Sequence, residues 1–171
     1  GIPLKNGQIS QGGTGKHIQR KGIFNAFEAG VKFVNISPLK SDIEPEIRAD
    51  WIAIRPSTDT AFLLALAHTL VVEELVDIEF IRKYTVGFLE FSNYLLGKED
   101  GIAKSARWGA DICNIQENTI IELARDMARK KTMISVSWSL TRQDHGEQPF
   151  WAAITLASML GQIGKPGTGI G

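Results

Sequence analysis

The stretch FVNISPLKSDIEPEIRADWIAIRPSTDTAFLLALAHTL, residues 33–70, decides the fold. Phe33-Val34-Asn35-Ile36 is a short apolar run that stops at Ser37-Pro38. Trp51-Ile52-Ala53-Ile54 is a second run, closed by Arg55-Pro56. Proline offers no N–H to a strand ladder, so each run reads as a strand followed by a loop. Ser57-Thr58-Asp59 then places small oxygen-bearing side chains ahead of an apolar segment, the usual start of a helix. From Thr60 to Val72 almost every position is apolar, which predicts a helix buried on most sides. Two strand ends and a helix N-terminus therefore lie close in sequence. In an open parallel sheet ligands sit there, and free N–H groups with a favourable dipole receive phosphate. The stretch predicts binding of the nucleotide part of a large phosphate-bearing cofactor.

Upstream, residues 1–15 are glycine-rich, without periodicity, and read as loop. Gly12-Gly13-Thr14-Gly15-Lys16 glances at a phosphate-binding P-loop, but Ser10 stands where its first glycine belongs, His17 replaces its Ser/Thr, and no strand precedes it. His17 to Ala29 forms an amphipathic pattern with Ile18, Ile23, Phe24 and Phe27 on one side. Gly30 suits the residue after that helix, and a strand from Val31 to Ile36 follows.

Downstream, Asp77 to Gly101 holds short helical pieces broken by Gly87, Gly97 and Gly101, part of a helical insert at about 77–115. Gln116 to Arg129 is an amphipathic helix with Ile120, Ile121, Leu123, Ala124 and Met127 inward. Thr132 to Ser137 is the third clear strand, and Pro149 opens a helix from Phe150 to Leu160. His68, inside the apolar helix, reads as a packed histidine. This order predicts an α/β fold: three layers around a mostly parallel, Rossmann-like sheet, with the helical insert at its edge. Residues 1–30 are the leading loop and helix, and 31–171 one α/β domain.

The totals limit the function classes. The 171 residues are 43% apolar and 22% charged, ordinary globular material. Formal net charge is zero, which disfavours nucleic acid as a partner. Cys113 is the sole cysteine, so neither an intrachain disulfide nor a cysteine-held cluster forms. No apolar run is long enough to span a bilayer. The chain starts without Met and closes on a glycine-rich run, and reads as a cut from something longer.

With parallel strands, the loops Ser37–Asp42, Arg55–Asp59 and Trp138–Gln148 converge on one rim. Asp42 and Asp59 accept hydrogen bonds from ribose hydroxyls or a guanine edge. Ser37, Ser41, Ser57 and Thr58 reach phosphate oxygens, Lys40, Arg55 and Arg142 supply charge, and Trp138 stacks on a flat ring. Each also has a plain structural role: Thr58 and Asp59 as caps, Arg55 as surface charge, Trp138 as core. His145-Gly146-Glu147 is too sparse for zinc. A Ser-His-Asp hydrolase lacks its G-x-S-x-G elbow. A stand-alone nucleotide-binding module and a purely structural domain both remain consistent with these residues.

The blocks IRPSTDTAFLLALAHTL, YLLGKEDGIAKSARWGADIC, WSLTRQDHGEQPFWA and LASMLGQIGKPGTGIG, in this order, resemble the molybdopterin oxidoreductases of the dimethyl-sulfoxide reductase type. NISPLKSD resembles their S- and N-oxide reductase subgroup. The likeness covers roughly 32–171 and implies an internal, guanine-dinucleotide-binding domain of that fold. It implies a bis(molybdopterin guanine dinucleotide) molybdenum cofactor between two α/β domains. Ser37, Pro38, Lys40 and Asp42 in one loop, and Ser57, Thr58 and Asp59 in another, would contact the guanosine and phosphates of one dinucleotide. Trp138, Ser139, Leu140 and Arg142 would lie under the pterin, with Arg142 toward the substrate funnel. Leu39 stands where many relatives outside the subgroup have Arg, so that contact falls to Lys40 or is absent. The subgroup's molybdenum-ligating serine and the Trp and Tyr over the metal belong to earlier blocks not present here, so the chain alone is expected to be inactive. The implied partners are the remaining domains, a small S- or N-oxide, and an electron-donor cytochrome or reductase. The organism implied is bacterial.

Overall fold

A computed structural model describes residues 9–10, 13–14 and 19–171. Lys16 and His17 of the P-loop-like run, and Ile18 of the leading helix, lie outside the described residues. Contacts divide the chain into two compact units, Gly1–Ile54 and Arg55–Gly171.

In the first unit, β1 (Ile9–Ser10) and β2 (Gly13–Thr14) pair antiparallel. Helix α1 runs Gln19–Glu28, within the 17–29 pattern and one residue short of its expected end. Gly30 takes φ +90°. It donates to Phe27 O at 2.9 Å, and Val31 donates back to Ala26 O at 3.0 Å. This glycine-dependent turn satisfies the last carbonyls of the helix, as the sequence predicts. It also occupies the Val31 N–H, which helps explain why β3 is only Val34–Ile36. Its parallel partner β4 is Asp50–Ile52, in register Val34↔Asp50, Asn35↔Trp51 and Ile36↔Ile52. The crossover, residues 37–49, is about a dozen residues, close to the minimum for joining parallel strands. It contains two short 3-10 turns, Lys40–Asp42 and Pro45–Ile47, instead of a helix.

In the second unit, α2 (Asp59–Val72) is the centre. Around it come α3 (Ile78–Tyr84), α4 (Phe88–Leu95), α5 (Ala106–Cys113), α6 (Glu117–Arg129) and α7 (Gln148–Met159). Helices α4, α5, α6 and α7 all pack on α2. That explains its sequence: a helix approached from several sides has no face left for polar residues. Phe62, Ala65, Leu66 and Leu70 are buried. Helix α6 keeps one polar face and buries Ile120, Ala124 and Met127.

Past the end of α2, Glu73 receives Arg125 of α6 through two 2.8 Å hydrogen bonds. The Arg125 bond holds the Glu73 carboxyl below the ordinary glutamate range. A pair this open to solvent is screened and adds little to stability. Each apolar side chain fully buried by α2 contributes about 1.5–3 kcal/mol, so packing dominates the join.

Strand β5 is Met133–Ile134, shorter than the expected 132–137, and pairs parallel with β6, Gly169–Ile170. Buried Gln162 fixes its start. Its amide donates to Met127 O at 3.2 Å and Lys130 O at 2.9 Å, and its oxygen accepts from the Thr132 N–H at 2.7 Å. The observed class is α/β, with short parallel strands and many helices. Among the described residues each parallel pair is two strands wide. Their exposed apolar residues, Val34, Trp51 and Met133, explain why two or three residues are all that pair here: parallel strands extend only where both faces are covered. Among the described residues no helix is long and apolar enough to cross a membrane.

Candidate functional site

Three turns carry the residues singled out by the sequence. The first follows β3. Buried Ser37 donates its hydroxyl to Asp42 and accepts from the Leu39 N–H at 3.1 Å. The hydroxyl therefore shapes the turn from inside, and one Asp42 oxygen is engaged in doing so. Trp51 of β4 donates its indole N–H to Ser37 O at 2.9 Å. The Lys40 ammonium sits 5.9 Å from the centre of the Trp51 ring. Pro38, Leu39, Lys40 and Ser41 are exposed around this frame. Because β3 and β4 are parallel, both end at one edge, where the Ser37 N–H reaches Ile52 O at 3.2 Å.

The second turn, Arg55–Asp59, opens the second unit. Ser57 has φ +63°, a left-handed conformation. That costs a non-glycine residue on the order of 1–2 kcal/mol. Thr58, next in the chain, is at φ −115°, ψ 14°, outside the right-handed helical region. Its hydroxyl donates to Arg55 O at 2.7 Å instead of capping the helix. Among the described residues no neighbouring side chain caps α2, so its first-turn N–H groups other than that of Asp59 have no side-chain partner. Asp59 is the first helical residue rather than the cap.

Two contacts from α5 hold this turn. Cys113 O accepts from the Arg55 N–H at 3.0 Å, and the Cys113 thiol donates to Thr58 O at 3.5 Å. Burial pushes the thiol's pKa up, and the Asp59 charge adds to this. Burial likewise pushes the Asp59 carboxyl above its ordinary 3.8, opposed by a hydrogen bond from its own backbone N–H. Among the described residues no other side chain hydrogen-bonds it.

The sign of this shift gives a testable consequence. A carboxyl whose pKa is higher folded than unfolded favours folding while protonated, and that contribution is lost as pH rises through the raised value. Asp59→Asn is therefore expected to be more stable than the parent at pH 7, with the difference disappearing below about pH 4. Denaturant titrations from pH 3.5 to 8 check this. A parent that is the more stable at pH 7 overturns it.

The third turn follows β5. Ser137 caps it by accepting from the Ser139 N–H at 3.3 Å, and the two hydroxyls lie 2.8 Å apart. Trp138 to Thr141 form one 3-10 turn. Trp138 is 65% exposed, so it is not a core residue. Arg142 is exposed and Leu140 half-buried. His145 is left-handed at φ +53°, between exposed Asp144 and Glu147 at 3.8 Å each. Arg48, Glu74 and Asn114, the other non-glycine residues with positive φ among the described ones, follow helical turns. Ser57 and His145 instead precede α2 and α7.

Each turn is thus built, and Arg55, Ser57, Thr58 and Asp59 share one short segment clamped from below. Among the described residues no hydrogen bond joins the second turn to the third. Half-buried His68 lies within α2, its basicity lowered by burial. Among the described residues no group of three His, Cys, Asp or Glu is placed to hold a metal ion. The sequence reading missed Trp51 and Cys113. An indole N–H beside a proline-ended strand is a weak signal for the first. Nothing in the sequence signals the second, which acts on a residue 55 positions away.

The sequence profile described as "Molybdopterin oxidoreductase" matches residues 14–171. The chain is 47% identical over 155 residues to a trimethylamine-N-oxide reductase of Haemophilus influenzae, covering 89% of this chain and 19% of that one. It is 43% identical to a dimethyl sulfoxide/trimethylamine N-oxide reductase of Rhodobacter capsulatus, over 99% of this chain and 20% of that one. With a biotin sulfoxide reductase of Cereibacter sphaeroides it shares 42% identity, over 98% and 22%. The chain thus spans about a fifth of the length of these curated relatives. Among solved structures, acetylene hydratase from Pelobacter acetylenicus has a similar fold, with TM-score 0.73 at 22% identity, over 86% of this chain and 20% of that one.

Proposed function

Because this chain belongs to the molybdopterin oxidoreductase family, we propose that it is the guanine-dinucleotide-binding part of a molybdenum enzyme that reduces S- or N-oxides. The cofactor in this reading is bis(molybdopterin guanine dinucleotide). When bound, that group supplies the two-electron chemistry by which an oxide loses its oxygen as water. The chain's own residues bind and orient it.

The observation that carries the reading is the Arg55–Asp59 turn. Left-handed Ser57 turns the backbone sharply just ahead of the helix, and turns of this kind form concavities lined by backbone N–H groups that receive anions. Directly after it comes a helix with no side-chain cap, which favours phosphate. Ser57 and Thr58 border that cradle. Asp59, half-buried and free of other side-chain hydrogen bonds among the described residues, is suited to accept from the N–H groups of a guanine edge. Asp42 has one oxygen left for the same task or for a ribose hydroxyl, while Ser37 and Pro38 hold its turn and Lys40 supplies charge. Exposed Trp138, with Ser139, Leu140 and Arg142 in one tight turn, offers a flat apolar face and a guanidinium to the pterin. That these turns face one ligand, with 31–171 acting as one domain, is part of the proposal.

In the whole protein each parallel pair would be extended into a wider, Rossmann-like sheet. The exposed apolar residues of β3, β4 and β5 support this. The substrate would be a small S- or N-oxide, as the names of the relatives suggest, with a cytochrome or reductase as electron donor.

The test is made on the full-length protein from a molybdenum-competent bacterial host. Molybdenum and guanine nucleotide are expected to be released together on acid treatment, with oxide-dependent oxidation of a reduced dye before it. Asp59→Ala is expected to lower the guanine content about 10–100-fold at limiting cofactor, the loss of one or two charge-assisted hydrogen bonds. Finding neither molybdenum nor guanine in the parent overturns the reading.

A further inference from the structure

We propose that the cleft between the α3–α4 elbow and α7 is the seat of an apolar segment from the remainder of the same polypeptide. The cleft measures about 480 Å³ and belongs wholly to the second unit. Gly87, at φ +79°, turns the chain sharply between α3 and α4 and lifts Val86 to the rim. Val86 is 99% exposed, and Trp151, across the cleft on α7, is 71% exposed. Phe88, Phe91, Phe150 and Ile154 fill the walls between them.

Among the described residues no ionisable one lines the cleft. Its hydroxyl groups are already committed: Thr85 donates to Ile81 O, Thr155 to Trp151 O and Ser158 to Ile154 O, at 2.8–2.9 Å. A charged substrate or nucleotide entering here would lose water, meet no countercharge and find no uncommitted hydroxyl donor. Among the described residues the Trp151 indole N–H is the one side-chain donor left on the wall, so each group left unpaired costs about 1–3 kcal/mol. An aromatic or branched aliphatic side chain loses nothing. Contiguous apolar surface of this kind marks a covered face.

What covers it follows from chain length, and rests on the reading above that this chain is part of a longer enzyme. This chain makes up only 19–22% of its relatives. A segment of the same polypeptide is present at an effective concentration of the order of millimolar or above, which favours it over a second copy or a separate protein.

Val86→Cys in the full-length, cofactor-loaded protein tests this. Maleimide labelling of residue 86 is read by peptide mass spectrometry against the same protein unfolded in guanidinium. Molybdenum content equal to the parent's confirms that the variant folds. Labelling at least about 100-fold slower than in the unfolded chain, at every protein concentration, is the expected result. Labelling within a few-fold of the unfolded rate overturns the proposal. Protection that appears only as concentration drives dimerisation also overturns it, in favour of a second copy. Footprinting of wild-type Trp151 by hydroxyl radicals needs no variant, and full reactivity there overturns the proposal equally.

Discussion

Phe62→Ala is expected to lower the unfolding free energy by about 3–5 kcal/mol, the range for a large aromatic removed from a packed core. Phe62 is among the largest wholly buried side chains of the second unit and lies on the helix that α4, α5, α6 and α7 share. Both terms of the loss apply in full. The ring's transfer free energy disappears, and the cavity cannot collapse because the surrounding helices are held by one another. Against a typical total of about 5–15 kcal/mol this is a large share. Denaturant unfolding followed by far-UV circular dichroism reads the effect as a lower midpoint with an unchanged slope. A loss below about 1 kcal/mol would show that α2 is not the centre of the fold.

Gly109→Ala is the second large effect, and it reaches the candidate site. A Cβ at position 109 would stand 2.5 Å from the Ala65 Cβ, closer than carbon atoms approach. Both atoms are fixed to helix backbones, so no side chain can swing away and α5 must move off α2. Overpacking of this kind costs about 1–3 kcal/mol, and the rigidity of both partners argues for the upper part.

Cys113 closes the same α5 helix and holds the Arg55–Thr58 turn by two hydrogen bonds. Displacement of α5 is therefore expected to loosen that turn and reduce guanine nucleotide retention in the full-length enzyme. Adding Ala65→Gly removes the opposing methyl at a helix-propensity cost of about 1 kcal/mol. The double variant is expected to be more stable than Gly109→Ala alone, a favourable coupling between neighbours. Additive losses would refute close approach as the cause.

Much of the fold is legible because local patterns and tertiary demands agree. The apolar run of α2 has one stable solution, burial on all sides, and the helix is found within a residue of its expected start. Gly30 ends α1 because the left-handed turn it makes excludes side chains. Pro38 and Pro56 close the two runs of the first unit, and the loops that follow them carry the candidate site. The polar side of α6 faces solvent as its periodicity requires. Family membership is equally a property of the sequence, since ordered blocks survive where single motifs are ambiguous.

What the sequence by itself determined is therefore the principal helices, the places of β3, β4 and β5, the turns that hold the polar residues, and the kinship, but not the strands β1, β2 and β6, which lie in runs that read as loop. The tertiary structure alone decided which of those residues are committed to the frame. Ser37 is tied to Asp42 and the Thr58 hydroxyl to Arg55, while Asp59 stays half-buried with its carboxylate available. It alone paired Met133–Ile134 with Gly169–Ile170, set Cys113 beneath a turn 55 residues away, and opened the cleft under Val86. The reason is physical: periodicity records how a residue meets its own helix or strand, whereas a hydrogen bond or a clash between distant segments depends on ångström-scale separations that no local pattern encodes.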